Sequence, residues 1–147
     1  MRLALQEAHK AHLLGEVPIG AVIISNSGEV LGMGHNLVEA THSQIEHAEI
    51  RAIQAASKKV QDWRLDNCTL YVTLEPCMMC IAAIALSRVE RVVYGAASPL
   101  FGYNLDKEGV LDLYTKQIKN ITDKVLEHES AALLSDFFKK KREMPNE

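Results

Sequence analysis

The stretch from Leu74 to Cys80, Leu-Glu-Pro-Cys-Met-Met-Cys, constrains the fold of this chain more than any other. It follows the run 68–73, which is typical of a buried strand, and leads into the apolar run 81–86, which predicts a helix. Two cysteines three residues apart then share one face at the start of that helix. Pro76 suits the first helical position, because a proline lacks the N–H that would have no partner there. The free N–H groups of a first turn favour thiolate over thiol, so this helix start is suited to bind a metal.

His47 and Glu49 are the best candidates to complete a site with the two cysteines. They open the helical run 50–58, and residues two apart within a helix point about 200° away from each other, so they can converge only beyond the helix end. His47, Cys77 and Cys80 make three ligands. Three protein ligands leave tetrahedral zinc one open position for water, which is the catalytic pattern. Glu49, beside that water without binding the metal, is predicted to shuttle protons.

Cys68 offers an alternative interpretation of the cysteines. A fourth thiolate would close the coordination sphere and make the zinc site structural. Cys68 lies at the predicted start of a strand, nine residues before Cys77, where burial as a small apolar side chain is the better interpretation.

An H-x-E followed by P-C-x-x-C is the signature of zinc-dependent base deaminases. Over nearly its whole length the chain is similar to the bacterial tRNA adenosine deaminases, most clearly in the segments 16–22, 34–36, 73–77 and 130–138. The resemblance implies deamination of adenosine to inosine at the wobble position of a tRNA anticodon loop, one Zn²⁺ per subunit and no organic cofactor. The resembled enzymes are homodimers whose pocket is completed by the partner subunit, so a homodimer is implied here.

The resemblance also implies roles for residues around the substrate. Ile19 is expected to form an apolar wall and Asn36 to read the nucleoside through its amide. The backbone around Ala48 and the turn at Pro76 are expected to hold the base. The C-terminal helix lies beside the entrance for the anticodon loop in the resembled enzymes, where an exposed Phe138 could stack on a base.

The loop 97–104 departs from the resembled enzymes. They usually carry an Asp, tied to a sugar contact in the RNA, where this chain has Ser98. A serine hydroxyl can still hydrogen-bond a 2′-OH, but without the charge. The altered loop and a pI near 6.1 favour an alternative, a free nucleobase or nucleoside deaminase such as a guanine deaminase. The segment 131–138, which matches the resembled enzymes, favours a tRNA adenosine deaminase over this alternative.

The basic block Lys139–Arg142 is compatible with two interpretations. Such a block is typical of a solvated helix end, where cations also suit the helix dipole, but phosphate contacts need a local excess of Lys and Arg as well. A further alternative for the whole chain is a non-enzymatic, zinc-stabilised RNA-binding module. The presence of Glu49 and the count of only three obvious ligands oppose it.

Strand, helix and strand between residues 68 and 94 predict a βαβ unit with parallel pairing. Upstream, 17–25 and 30–35 around a turn at 26–28 predict a hairpin, with Pro18 at its start. The remaining elements are a helix at 2–14, an irregular segment at 37–46, a loop at 95–107, a short helix at 108–114, a weak strand at 117–121 and a helix at 123–142. This order predicts an α/β protein, a three-layer α/β/α sandwich with a five-stranded mixed sheet. The cytidine-deaminase-like fold, named from the resemblance, has this order.

Composition sets the class of protein. The 147 residues are expected to form a single domain, 1–147, and 48% hydrophobic with 24% charged residues is typical of a globular chain. No apolar run is long and clean enough to span a bilayer, and three cysteines are too few for a disulfide scaffold. A cytoplasmic protein without membrane association is expected.

Overall fold

The structure, a computed structural model, describes residues 1–144. The first half contains helix α1 (Arg2–Leu13), strands β1 (Gly20–Ile24) and β2 (Val30–His35), helix α2 (Val38–Thr41) and helix α3 (Ala48–Val60). The second half contains β3 (Thr69–Leu74), α4 (Met78–Leu86), β4 (Arg91–Ala96), a 3₁₀ turn (Tyr103–Leu105), α5 (Asp112–Thr115), β5 (Asn120–Thr122) and α6 (Glu127–Glu143).

The five strands form one mixed sheet in the order β2-β1-β3-β4-β5. β1 pairs antiparallel with β2 and with β3, whereas β3, β4 and β5 run parallel. The unit β3-α4-β4 is the predicted βαβ crossover. Helices α1 and α6 pack on one face of the sheet, and α3 and α4 pack on the other. The prediction of a three-layer α/β/α sandwich with a five-stranded mixed sheet is confirmed.

The main core lies between the sheet and the layer of α3 and α4. Most of its largest fully buried apolar side chains come from strands and from α4, and full burial of each stabilises the fold by about 1.5–3 kcal/mol. They include Ile23, Leu70, Val72, Ile81, Ile84 and Val92. Because side chains of β3, α4 and β4 are all buried in this core, packing against the sheet fixes the position of α4 and of its first turn.

Glycines on β2 let α3 approach the sheet closely. A Cβ added at Gly34 would lie 2.5 Å from the carbonyl oxygen of Ala48, and one at Gly32 would lie 2.4 Å from that of Ala52. Such distances leave no room for a side chain, so helix backbone rests directly on strand backbone. The contact with β2 therefore fixes the position of the N-terminus of α3.

The structure corrects several predicted boundaries. The segment 37–46 is not wholly irregular, because it contains α2. β1 begins at Gly20, so Pro18 precedes the strand. α6 begins at Glu127, not at Asp123, because Leu126 takes a left-handed conformation (φ 52°) that ends the preceding loop. The other elements differ from their predicted bounds by a few residues, and no helix within residues 1–144 is long and apolar enough to cross a membrane.

Candidate metal centre and active site

Two helices begin at the site and each brings a candidate ligand at its N-cap. His47 precedes α3 and Cys77 precedes α4, both with an extended backbone (φ −72°, ψ 152° and φ −74°, ψ 175°). An N-cap residue with this backbone is not yet within the helix, so its side chain can extend past the helix end. The two helix starts thus face each other, as the spacing of His47 and Glu49 requires.

Pro76 is not at the first helical position, contrary to the sequence prediction. Cys77 stays extended and forms an isolated antiparallel bridge with Gly102, so α4 starts only at Met78. The buried Pro76 therefore lies two residues before the helix. Its carbonyl accepts a hydrogen bond from the N–H of Tyr103, 2.9 Å away.

The three candidate ligands converge. The Nδ1 atom of His47 lies 3.4 Å from Sγ of Cys80 and 3.7 Å from Sγ of Cys77, and all three ligand atoms lie within 4.8 Å of one another. Neighbouring N and S ligands of a tetrahedral zinc ion are about 3.6 Å apart, from bond lengths of about 2.1 and 2.3 Å. The group can therefore hold a metal ion. Cys68 does not belong to it, since it is buried at the opposite end of β3.

The thiols of the group differ in their acidity. Cys77 accepts hydrogen bonds from Cys80 and from His47, which lower the pKa of Cys77 to about 4 against the cost of burial. The reverse holds for Cys80, because donation to Cys77 and burial raise its pKa. The hydrogen bond to Cys77 also raises the pKa of His47. The arrangement thus keeps at least one thiolate available as a metal ligand at neutral pH.

Glu49 lies in the first turn of α3 and is buried, with 4% of its surface exposed. Burial raises its pKa from 4.5 to about 7, although its own backbone N–H and the nearby His47 stabilise the carboxylate. A carboxyl group with a pKa near the working pH both accepts and donates protons readily. Glu49 has the chemistry expected of a proton shuttle.

A largely apolar cavity of about 700 Å³ lies above the ligand group. His47, Cys77 and Glu49 line it, so the reactive groups face an open space. Three of the six residues expected around the substrate line it as well, Ile19, Ser98 and Phe138. The cavity lies at the carboxyl ends of β3 and β4, the edge at which open α/β sheets bind their ligands.

Asn36, Ala48 and Pro76 do not line this cavity. Asn36 is buried beside it, and its Nδ2 donates to the carboxylate of Glu16, 3.2 Å away. Ala48 is fully buried, because the first turn of α3 packs on β2. Pro76 is buried as described above.

Several cavity residues were missed by sequence reasoning. Ala131 and Leu134 line the cavity together with Phe138. Their spacing of three and four residues marks one face of a helix, a pattern that could have identified them. Gln44, Leu100 and Phe101 also line the cavity, but they lie in loops without periodicity.

Comparison with known proteins places the chain in a family. Residues 1–142 match the family model of the MafB19-like deaminases. Over 144 residues the chain is 45% identical to the tRNA-specific adenosine deaminase of Bacillus subtilis (strain 168), covering 97% of this chain and 88% of that protein. The chain belongs to the family of tRNA-specific adenosine deaminases. The prediction of a hydrolytic deaminase is thereby confirmed.

Solved structures agree with this family assignment. A structure from a study of A-to-I editing by tRNA:A34 deaminases at the wobble position superposes with a TM-score of 0.83 at 38% identity, covering 91% of this chain and 97% of that chain. Guanine deaminase from Bacillus subtilis is more distant, with a TM-score of 0.64 at 29% identity, covering 99% and 93%. Deaminases of different substrates thus share this fold.

Proposed function

We propose that this enzyme hydrolyses adenosine to inosine, with release of ammonia, at the wobble position of a tRNA anticodon. The observation that carries the proposal is the convergence of His47, Cys77 and Cys80 beside Glu49 at a cavity large enough for a nucleobase. The 45% identity to a tRNA-specific adenosine deaminase supports the choice of substrate.

The metal proposed for the site is one Zn²⁺ per subunit. One imidazole and two thiolates are ligands that zinc prefers, and their spacing fits a tetrahedral ion with one position open. Bound zinc supplies a Lewis acid that lowers the pKa of water toward about 7. His47, Cys77 and Cys80 would hold it, and their attachment to two helix N-termini fixes the geometry of the group.

Glu49 is proposed to move the protons. It accepts one proton from the attacking water as the C6–O bond forms and delivers it to N1 of the purine. It then takes the second proton from the new C6 hydroxyl and delivers it to the amine, so that the C6–N bond breaks, ammonia leaves and C6 becomes a carbonyl. Its burial keeps its pKa near neutrality, so both directions of transfer are accessible at pH 7.

The remaining site residues have proposed roles in binding. Ile19 contributes an apolar wall, Ser98 offers a hydroxyl to the ribose, and Phe138, 43% exposed at the cavity, stacks on a base. Asn36 is proposed to reach the nucleoside through its Oδ1, because its Nδ2 is held by Glu16. The backbone at Ala48 and Pro76 is proposed to support the base pocket. A base in an anticodon loop is easily turned out of its stack, which a buried site of this depth requires.

The basic end of α6 is proposed to contact phosphates. Lys140 is engaged by Asp136 and Lys141 lies over the ring of Phe137, so Lys139 and Arg142 are the members of the block best placed to reach RNA. Charge neutralisation of both should weaken RNA binding and reduce its salt dependence. An unchanged salt dependence would assign the block to the solvated helix end instead.

A homodimer is proposed because a second apolar surface adjoins the cavity. This apolar rim, formed by Met78, Leu100, Phe101, Leu105 and Val110, surrounds a groove of about 620 Å³. Leu100 and Phe101 are 75% and 72% exposed and line both the groove and the cavity. A second copy covering the rim would remove this apolar area from water and complete the pocket. The enzyme is proposed to work in the cytoplasm, where its tRNA substrate is found.

Sedimentation velocity tests the homodimer. Phe101→Glu should shift the protein to monomer and reduce activity on RNA, because a charge in the rim cannot be buried there. Leu113→Glu is the matched control, since Leu113 is 78% exposed but lies outside the groove. Wild-type protein that sediments as a monomer while fully active would exclude the homodimer.

The decisive experiment measures inosine in an anticodon stem-loop with a wobble adenosine, in parallel with free adenosine, guanine and cytidine. Inosine formed only in the RNA, and lost in Glu49→Ala, is expected. Turnover of free guanine alone would instead favour a guanine deaminase, the alternative to which the altered loop 97–104 and the likeness to Bacillus subtilis guanine deaminase point. A zinc-stabilised binding module would bind RNA without any turnover.

A further inference from the structure

The loop after β4 folds back over the start of α4. The N–H of Tyr103 donates to the carbonyl of Pro76 at 2.9 Å, and Gly102 bridges to Cys77. Ser98, Leu100 and Phe101 of this loop form one wall of the cavity. Backbone contacts therefore align this wall with the candidate ligand Cys77.

Glu75 provides a buried anchor for the loop. Its Oε1 accepts from Nδ2 of Asn104 at 2.9 Å and from the hydroxyl of Tyr94 at 3.4 Å, and Asn104 also donates to that hydroxyl at 3.2 Å. Glu75 and Tyr94 are 6% and 4% exposed; Glu75 directly follows β3 and Tyr94 belongs to β4. Asn104 is the member of this three-residue network that the loop contributes.

The other oxygen of Glu75 contacts the loop at a second point. A Cβ added at Gly102 would lie 1.2 Å from Oε2 of Glu75, so the carboxylate occupies the space that any larger residue at 102 would need. Glu75 thus touches the loop at Gly102 and at Asn104. A carboxylate accepts hydrogen bonds but cannot donate them, so the amide of Asn104 must present its NH₂ group.

We propose that Asn104 is a positioning residue for substrate binding, which acts through Glu75 and Tyr94 to hold the cavity wall 98–102 in line with the metal site. The proposal rests on the proposed function for its substrate. It extends that function by assigning part of the substrate binding to a residue outside the cavity. Because the wall contacts substrate and transition state alike, its displacement weakens binding more than it slows the chemical step.

Reversing the polarity of the hydrogen bond tests the proposal. Asn104→Asp faces Glu75 with a second carboxylate and should raise KM for the stem-loop about tenfold, the factor that corresponds to about 1.4 kcal/mol. The kcat of Asn104→Asp should stay within about twofold of the wild-type value. Glu75→Gln keeps the acceptor for Asn104, and because Glu75 itself lines the cavity, this single variant is the reference for the double variant. The double variant Glu75→Gln with Asn104→Asp lets the new amide donate to the new carboxylate, and should recover most of the lost KM.

Hydrogen exchange gives a reading that needs no substrate. The amides of Gly102 and Tyr103 should exchange about tenfold faster in Asn104→Asp and return toward wild type in the double variant. Asn104→Ala removes the donor without adding charge and should also speed exchange, so the test survives if the aspartate variant does not fold. Leu113→Ala is the control, since Leu113 is exposed, follows the same loop and lies outside both the network and the groove.

Two results would overturn the proposal. One is wild-type KM and wild-type exchange in both Asn104 variants. The other is a double variant as impaired as Asn104→Asp alone, which would show that the residues do not act as a pair. Wild-type enzyme that leaves the stem-loop unmodified would instead refute the proposed function, and the exchange rates would still decide whether Asn104 holds the loop.

Discussion

Replacing Gly34 by alanine tests whether the metal site depends on the close approach of α3 to the sheet. Gly34 lies on β2 beneath the first turn of α3, and a Cβ there would lie 2.5 Å from the oxygen of Ala48 and 2.7 Å from the nitrogen of Ala52. These distances are about 1 Å shorter than ordinary nonbonded contact. Both neighbouring atoms are helix backbone, so no side-chain rotation can relieve the clash and α3 has to move.

The size of the effect follows from where α3 moves. Overpacking of this kind costs about 1–3 kcal/mol of folding free energy. The clash lies at the N-terminus of α3, so His47 and Glu49 shift relative to the cysteines of α4. A misplacement of about 1 Å at a reactive centre can cost about 10²-fold in rate. We therefore expect a folded protein with weakened zinc retention and a rate reduced by about two orders of magnitude.

Gly32→Ala is the matched control. Its Cβ would lie 2.4 Å from the oxygen of Ala52 and 2.5 Å from the nitrogen of Ala56, an equal clash one turn further from the site. Thermal unfolding, zinc content after dialysis and inosine formation are measured for both variants. Similar losses of stability with a much larger loss of zinc and rate for Gly34→Ala are expected. Equal losses of zinc and rate in the two variants, or a fully active Gly34→Ala, would refute the reasoning.

Three further variants test individual groups. Glu49→Gln should retain zinc and lower kcat by about 10²–10⁴-fold, and a smaller loss in single-turnover assays would remove Glu49 from proton transfer. Cys77→Ala should lose zinc, measured by elemental analysis, and full occupancy would contradict the proposed ligand set. Burial opposes ionisation of Glu7, but hydrogen bonds from Lys10 and His35 outweigh it and lower its pKa below 4.5. The stabilisation that the ionised Glu7 contributes is present above about pH 4.5 and is lost as the pH falls through the lowered pKa. Glu7→Gln should therefore be less stable than wild type at neutral pH and should lose less free energy of unfolding on acidification. Urea unfolding at several pH values measures both differences.

Much of the fold and of the chemistry is encoded locally and could be predicted from the sequence. The alternation of strand and helix around the cysteines fixed the βαβ unit and hence the parallel half of the sheet. The spacing of His47 and Glu49 required a helix start, and α3 begins between them at Ala48. These predictions succeeded because each depends on the geometry of one element and its periodicity.

The features that were missed depend on contacts between distant segments. Helix α2 is too short to show periodicity and is stabilised by Glu16, which accepts hydrogen bonds from the N–H groups of Glu39 and Ala40 at 3.2 and 2.7 Å. The loop around Asn104 is placed by Glu75, a residue 29 positions earlier. Neither carboxylate could be assigned to its partners from the sequence, because nothing local distinguishes it from a solvated charge.

The order of strands in the sheet has a consequence for biosynthesis. β1 lies between β2 and β3, so the hairpin and the βαβ unit become one sheet only after β1 has paired with β3. In the chain, His47 lies between β1 and β3, and Cys77 follows β3, 30 residues after His47. Until β3 and both cysteines have been synthesised, a chain emerging from the ribosome therefore presents only one of the three candidate ligands, His47. We therefore expect the metal to bind after the sheet has assembled, and we do not expect it to initiate folding.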